Sequence, residues 1–164
     1  MICLAHPTNH LMRIATTLYT LVIAIWLGSQ IAIGYIAAPI LFSRLADRTL
    51  AGELAGAMFS VMAWLSLVCG AYLLLYGVTV QRARAFRSGV FWLVLVMLGI
   101  TVISHFGIQP VMAQLKQDAL PLPVMASNLR DRFAMWHGVS GGLYLLQTIL
   151  GLALVIVQNR GVKT

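Results

Sequence analysis

The sequence predicts an all-α, membrane-embedded four-helix bundle that forms a single transmembrane domain over residues 1–164. Two observations support this prediction. First, the chain is 60% hydrophobic and 9% charged, whereas soluble domains are about a quarter charged. These values exclude a soluble cytoplasmic enzyme and a disordered chain. Second, four apolar stretches are long enough to cross a hydrocarbon core about 30 Å thick.

The four apolar stretches contain no charged residue, and the charges collect between them. Their apolar runs are continuous, which favours helices over the alternating strands of a membrane barrel. The predicted spans cover residues 14–42, 55–80, 90–108 and 133–157. An alternative treats residues 1–34 as a cleaved signal peptide, because a small-residue motif ends there. The apolar run continues past that motif to Phe42, which favours a first span.

The distribution of basic residues places both termini in the cytoplasm. The connector 81–88 holds three arginines and no acid, whereas the first and third connectors hold all four acids. Arg13, Arg160 and Lys163 add positive charge on the side of the arginine-rich connector. The net charge of +7 therefore reflects topology and contact with anionic headgroups. No nucleic-acid partner is expected, because no basic stretch is interleaved with aromatic residues.

Local signals predict where the first two helices end and begin. Pro39 predicts a kink or a helix end near the outer side of the first span. Asp47 or Thr49 can cap the second helix, with Glu53 placed in its first turn. Arg44 and Asp47 could form an ion pair, but a solvated turn is the favoured interpretation.

The third connector, residues 109–132, is long for a helical bundle. Residues 109–119 are predicted either to extend the third helix or to form an interfacial helix, because their apolar side chains share one face. Pro121 and Pro123 end that segment, and Ser127 or Asn128 can cap the fourth helix.

Small residues at helical spacing predict close helix contacts, since membrane helices pack through such positions. They are Gly28, Ala32, Gly34, Ala38, Gly52, Gly56, Gly138, Gly141, Gly142 and Gly151. The partner can be another helix of the chain or a second copy. A homo-oligomer is therefore a candidate assembly, in addition to contact with the lipid bilayer.

Polar side chains at membrane depth are functional candidates, because placing them there is costly. We predict a small ligand-binding site near the outer face, with two charged residues at its rim. Its residues are Gln30, Ser104, His105, His137 and Ser140, with Arg44 and Glu53 at the rim. Gln147 is a further polar candidate within the fourth span.

The two candidate histidines are predicted to lie at the same depth, roughly 8–9 Å below the outer boundary. Three interpretations stay open. His105 and His137 can hydrogen-bond across the bundle and specify packing. They can bind a soft metal such as copper together with Met58 and Met62. They can also be the axial ligands of a haem. The sequence contains no GxxxxGK[ST], HExxH, GxSxG or CxxC motif.

Several short elements resemble one family of membrane proteins. They are Trp26-Leu27-Gly28-Ser29-Gln30, Ala38-Pro39-Ile40-Leu41-Phe42, Leu50-Ala51-Gly52, Phe59, Ile108-Gln109-Pro110 and Phe133-Ala134-Met135-Trp136-His137-Gly138-Val139-Ser140. Over residues 14–157 the chain resembles the small four-helix family called domain of unknown function 4149, which includes transmembrane-protein-205-like proteins.

The resemblance implies a multi-pass protein of the bacterial inner membrane. An animal relative linked to platinum-drug resistance implies handling of soft metals. The first span also resembles that of copper-resistance and haem-biosynthesis membrane oxidoreductases, but it lacks the histidine that those proteins usually carry there.

These observations predict a non-enzymatic membrane protein that binds or transports a small ligand or a soft metal, or that stabilises a partner. The alternative is a haem- or quinone-linked oxidoreductase with His105 and His137 as ligands. No cofactor is the favoured expectation. The soft-metal interpretation would require copper, and the haem interpretation would require haem.

Overall fold

The computed structural model describes residues 7–161, and every regular element in that range is helical. Four helices are long and apolar enough to span a membrane, which confirms the all-α prediction. We call them spans one to four: Ile14–Arg44, Arg48–Val80, Gly89–Asp118 and Arg130–Gln158. Cys3 and Lys163, and the side chains of Arg13 and Arg160, lie outside what the structure describes.

Spans one and three each contain a wide π-helical turn just before a proline. In span one the helix Pro7–Ile31 is followed by the π-helix Ala32–Ala37 and then by the helix Ala38–Arg44. A proline has no N–H group, and its ring clashes with the carbonyl four residues earlier. For Pro39 that carbonyl belongs to Tyr35, inside the π-helix. The irregularity predicted at Pro39 is therefore a π turn, after which the helix continues.

Span three repeats this arrangement, with the helix Gly89–Val102, the π-helix Ile103–Ile108 and the helix Gln109–Asp118 in direct succession. Residues 109–118 thus extend the third helix, which was the first of the two predicted alternatives. After a short 3-10 helix, Val124–Ala126, the hydroxyl of Ser127 accepts a hydrogen bond from the amide of Leu129 at 3.2 Å. The fourth helix then runs unbroken over Arg130–Gly161.

Span two begins at a capped helix end. The helix Arg48–Tyr76 is preceded by Asp47, whose Oδ1 accepts hydrogen bonds from the amides of Thr49 at 2.8 Å and Leu50 at 3.2 Å. Asp47 is therefore the N-cap, as one of the two predicted alternatives. The side chain of Asp47 makes no ion pair with Arg44 among the described residues. Past Tyr76 come the π-helix Gly77–Gln81 and the 3-10 helix Arg82–Arg87.

The core of the bundle is apolar and receives side chains from all four spans. Its buried residues are Ile23, Trp26, Met62, Cys69, Leu73, Val94, Met97 and Leu154. Within the most apolar window of each span, 22–28% of the residues are buried. The remaining surface is largely apolar, with Val61, Val68 and Leu75 more than half exposed. Such a surface suits lipid acyl chains rather than water.

Three glycines allow side chains of neighbouring spans to approach closely. A Cβ atom at Gly70 would lie 2.5 Å from Leu98 Cδ2, and one at Gly151 would lie 2.7 Å from Leu27 Cδ1. At Gly34 it would overlap the ring of Tyr144. Within residues 7–161, the other predicted glycines have no such neighbour within 4 Å. They are Gly28, Gly52, Gly56, Gly138, Gly141 and Gly142.

Candidate functional site

Buried polar side chains form a layer near the middle of the bundle. Gln30, Ser66, Thr101, Gln147 and Thr148 are each less than a tenth exposed. Together they come from all four spans. Gln30 stands 16 residues after Ile14 and 14 before Arg44, and Ser66 stands 18 after Arg48 and 14 before Val80. These residues and their hydrogen-bond partners Trp26, Tyr35 and Tyr144 define the mid-bundle polar layer.

Two hydrogen-bond chains in this layer join neighbouring spans. The indole Nε1 of Trp26 donates to Ser66 Oγ at 2.9 Å, and Ser66 Oγ donates to the carbonyl of Met62 at 2.9 Å. Likewise, Gln147 Nε2 donates to Thr101 Oγ1 at 2.9 Å. The hydroxyl of Thr101 donates to its own helix, to the carbonyl of Met97 at 3.0 Å. Each hydroxyl group therefore accepts a hydrogen bond from another span and donates one to a carbonyl of its own helix.

The third chain joins spans one and four through Thr148. The Thr148 hydroxyl donates to the carbonyl of Tyr144 at 2.9 Å, so its oxygen must accept any further bond. It accepts from Gln30 Nε2 at 3.4 Å and from Tyr35 Oη at 3.3 Å. This requirement orients the Gln30 amide, with its NH₂ group towards Thr148 and its carbonyl away from it. Gln30 Oε1 is fully buried and has no hydrogen-bond partner in the described part of the chain.

Tyr144 places its hydroxyl against the backbone of span one. Its Oη donates to the carbonyl oxygen of Gln30 at 2.6 Å, next to the π-helix Ala32–Ala37. Gly34 leaves room for the ring, because any side chain there would occupy the same space. Phe59 of span two contacts the ring edge-on, with centroids 5.1 Å apart. Three spans therefore hold this tyrosine in place.

His105 lies in the π-helix of span three and faces span two. Its Nδ1 is 2.9 Å from Gln109 Oε1, and its ring contacts Trp64 edge-on at 5.6 Å. In the neutral ring, an amide oxygen as the neighbour of Nδ1 favours the tautomer in which Nε2 presents a lone pair. The ring is half-buried, and Phe106 covers another side of it at 4.7 Å.

His137 contacts other residues than His105 does. It is exposed and stacks on Phe133 with centroids 6.0 Å apart, and Lys116 lies 5.9 Å from the centre of that phenyl ring. Within residues 7–161, no hydrogen bond or ring contact joins the two histidines. The structure thus brings His105 to a tryptophan of span two and leaves His137 on the surface of span four.

The remaining predicted site residues differ in burial. Ser104 and Ser140 are half-buried, and Arg44 and Glu53 are exposed. Met58 is half-buried, whereas Met62 belongs to the apolar core, 3% exposed. Among the described residues, no three or more His, Cys, Asp or Glu side chains are grouped closely enough to hold a metal ion. Of the predicted site residues, Gln30 belongs to the polar layer, as does the further candidate Gln147.

Sequence reasoning missed several members of the mid-bundle polar layer. Tyr35, Tyr144 and Thr148 were absent from the predicted site. Their signal in the sequence is weak, because a tyrosine or threonine within an apolar span is common on a lipid-facing surface as well as in a core. Depth alone could have drawn attention to Thr148, which lies next to the candidate Gln147.

Comparison with known proteins identifies one family. A family model described as domain of unknown function (DUF4149) matches residues 21–121, which confirms the resemblance stated from the sequence. The matched region includes Gln30, Ser66 and Thr101 and ends before span four. No curated protein and no solved structure matches the chain.

Proposed function

Because the chain belongs to the DUF4149 family, whose description assigns no activity, we propose a function from the geometry of the polar layer. The protein is a non-enzymatic, multi-pass protein of the bacterial inner membrane. It binds a small ligand that carries a hydrogen-bond donor, and the donor pairs with Gln30 Oε1. The surrounding layer holds the ligand in place through uncharged amide, hydroxyl and indole groups.

One observation carries this proposal: the unpaired carbonyl oxygen of the Gln30 side chain. Gln30 is 1% exposed, and its amide is oriented by the hydrogen bond to Thr148. A buried acceptor without a donor costs about 1–3 kcal/mol, and nearly all buried polar groups in proteins are paired. A ligand hydroxyl, amide or ammonium group would remove this cost. The mid-bundle position suits a ligand that reaches the site from the membrane.

The composition of the layer supports binding rather than catalysis. Its groups are neutral at physiological pH, whereas acid–base catalysis needs a side chain that exchanges protons near that pH. The four acids of the chain are Asp47, Glu53, Asp118 and Asp131, close to the ends of the spans. Neutral donors and acceptors at fixed positions instead recognise the shape and polarity of a small molecule.

The predicted outer residues remain part of the proposal as a second contact region. His105 supports this role, since its Nε2 lone pair can accept a hydrogen bond from a ligand or bind a metal. The other residues of the region are Ser104, His137 and Ser140, with Arg44 and Glu53 at the rim. A soft-metal site with Met58 and Met62 and a haem or quinone enzyme are the competing functions.

Orientation and assembly complete the proposal. Both termini lie in the cytoplasm, and the arginines of the 82–87 connector face the same side. Six of the predicted glycines have no described neighbour within 4 Å of an added Cβ atom, which supports contact with a second copy, as is typical of membrane helices.

The test is native mass spectrometry of the full chain, purified in detergent from bacterial membranes. We expect a stoichiometric small-molecule adduct that is neither detergent nor phospholipid. Gln30→Leu removes the acceptor, so the affinity should fall about tenfold, as expected for a lost buried hydrogen bond, and the adduct should become less abundant. Gln114→Leu is the matched control, because Gln114 is exposed and its amide bonds to Asp118 outside the layer. Circular dichroism verifies that both variants keep their helices.

A wild-type protein without an adduct would overturn the proposal. An adduct that is equally abundant in Gln30→Leu would also overturn it. A Soret band lost in His105→Ala and His137→Ala would establish the haem alternative. Stoichiometric copper that is lost in Met58→Leu and His105→Ala would establish the soft-metal function.

A further inference from the structure

The connector between spans two and three contains a short basic helix with an ordered shape. The 3-10 helix Arg82–Arg87 follows directly on the π-helix Gly77–Gln81. Arg82, at the start of this helix, has a positive φ of 49°. At its other end, the amide of Ser88 donates to the carbonyl of Ala85 at 2.9 Å, immediately before span three. We call Arg82–Arg87 the basic turn.

The basic turn presents three different faces. A 3-10 helix has three residues per turn, so side chains three positions apart lie above one another. Ala85 is 1% exposed and fixes one face to the bundle. Phe86 is exposed and forms an apolar face together with Ala83. Arg84 and Arg87, both exposed, share the third face, about 6 Å apart along the axis.

Aromatic side chains next to the basic turn set its depth in the membrane. Trp92 Nε1 donates to the carbonyl of Phe86 at 3.0 Å, and Phe91 contacts Phe86 and Trp92 with centroid distances of 5.0 and 5.9 Å. Phe86 and Trp92 are each 54% exposed. Tryptophan side chains concentrate at the membrane–water boundary. The guanidinium groups of the turn therefore lie at the level of the lipid headgroups.

No acid neutralises this face. The connector 81–88 contains no Asp or Glu, and within the described part of the chain none of its arginines forms an ion pair. Guanidinium groups bind phosphate oxygens through two parallel hydrogen bonds, and two such groups on one face can share one phosphate. Basic clusters beside membrane helices attract anionic lipids in this way.

We propose that Arg84 and Arg87 bind the phosphodiester headgroup of an anionic phospholipid, while Phe86 and Trp92 pack against its acyl chains. The site is separate from the polar layer around Gln30. Lipid at this site would hold the connector at the membrane surface and fix the ends of spans two and three.

The test measures lipid binding to the full chain in detergent by native mass spectrometry. The probes are phosphatidylglycerol and phosphatidylcholine with the same acyl chains. We expect tighter binding of phosphatidylglycerol to the wild type, and a loss of roughly 30-fold for Arg84→Gln combined with Arg87→Gln. Arg84→Lys with Arg87→Lys should lose several-fold, because lysine keeps the charge but not the planar fork.

The control is Arg130→Gln combined with Arg132→Gln, which removes the same charge from exposed positions at the start of span four. It should bind phosphatidylglycerol within about twofold of the wild type. An equal loss in both double variants would reduce the effect to net charge and overturn the proposal. Equal binding of phosphatidylcholine would do the same. Displacement of the lipid by millimolar glycerol 3-phosphate would identify a free phosphate compound as the ligand instead.

Discussion

At the scale of single residues, Gly34 determines whether Tyr144 can reach its hydrogen-bond partner. The tyrosine ring occupies the space that a side chain at position 34 would fill, and its hydroxyl bonds to the backbone of Gln30. The same ring contacts Phe59 and lies one helical turn from Thr148. A methyl group at Gly34 would therefore disturb contacts among three spans, although it adds a single carbon atom.

We expect Gly34→Ala to lower the free energy of unfolding by about 1–3 kcal/mol, as overpacking in a protein core does. The measurement is SDS-induced unfolding of the detergent-purified protein. Gly28→Ala is the control, because it lies in the same span and has no neighbour within 4 Å of the added carbon. It should raise the free energy of unfolding by up to about 1 kcal/mol, because alanine favours a helix more than glycine does. Equal effects of the two substitutions would contradict the packing seen around Tyr144.

At the scale of helical elements, local chemistry decides where the spans start and where they deviate from regular helix. Asp47 caps span two through two backbone amides. The π turns before Pro39 and Pro110 keep spans one and three continuous, since a wider turn moves the carbonyl that the proline ring would strike. These turns also rotate the side chains that follow them around the helix axis, compared with a regular α-helix.

Replacing the cap should destabilise span two at its first turn. We expect Asp47→Ala to lower the free energy of unfolding by about 1 kcal/mol. Asp47→Asn keeps an acceptor oxygen and should lower it much less. Hydrogen exchange of the amides of residues 49 and 50 reports the change locally, with faster exchange in the alanine variant alone. If the asparagine variant behaved like the alanine variant, the charge of Asp47 rather than its hydrogen bonds would hold the helix start.

At the scale of the whole molecule, polarity is arranged in layers along the bundle. Charged residues lie near the ends of the spans, apolar side chains cover the outside, and neutral polar groups meet in the middle. Arg84 lies at the end formed by the connector between spans two and three, and Gln117 lies at the opposite end of span three. The orientation proposed above places the end with Arg84 in the cytoplasm.

Thiol labelling tests this orientation. In a chain with Cys3 and Cys69 changed to serine, cysteines are placed separately at Arg84 and Gln117. A membrane-impermeant thiol reagent added to intact spheroplasts should label position 117, and position 84 should react after lysis. Both positions are exposed, so burial would not protect either one. Labelling of position 84 from outside would reverse the proposed orientation and place both termini outside the cytoplasm.

The amino-acid sequence was sufficient to predict the helices and their approximate ends, because the requirement to satisfy backbone hydrogen bonds in lipid leaves little choice for long apolar runs. It also identified the family, and it narrowed the cap of span two to Asp47 or Thr49 and the segment after span three to a helix extension or an interfacial helix. The predicted spans were shorter than the observed ones. The prediction ended each apolar stretch at the first charged residue, whereas the helix itself continues to its capping residue. Glu53 and Lys116 lie inside helices for this reason.

Counting residues along a helix fixes the depth of a side chain but not the direction in which it points. His105 and His137 were predicted at one depth, yet tertiary packing turns His105 towards Trp64 and leaves His137 exposed. Packing likewise selected Thr148 as the partner of Gln30 and left the side-chain oxygen of Gln30 without a partner among the described residues. Rotation of each span about its axis depends on contacts with its neighbours and on the π turns, and these arise when the four helices assemble.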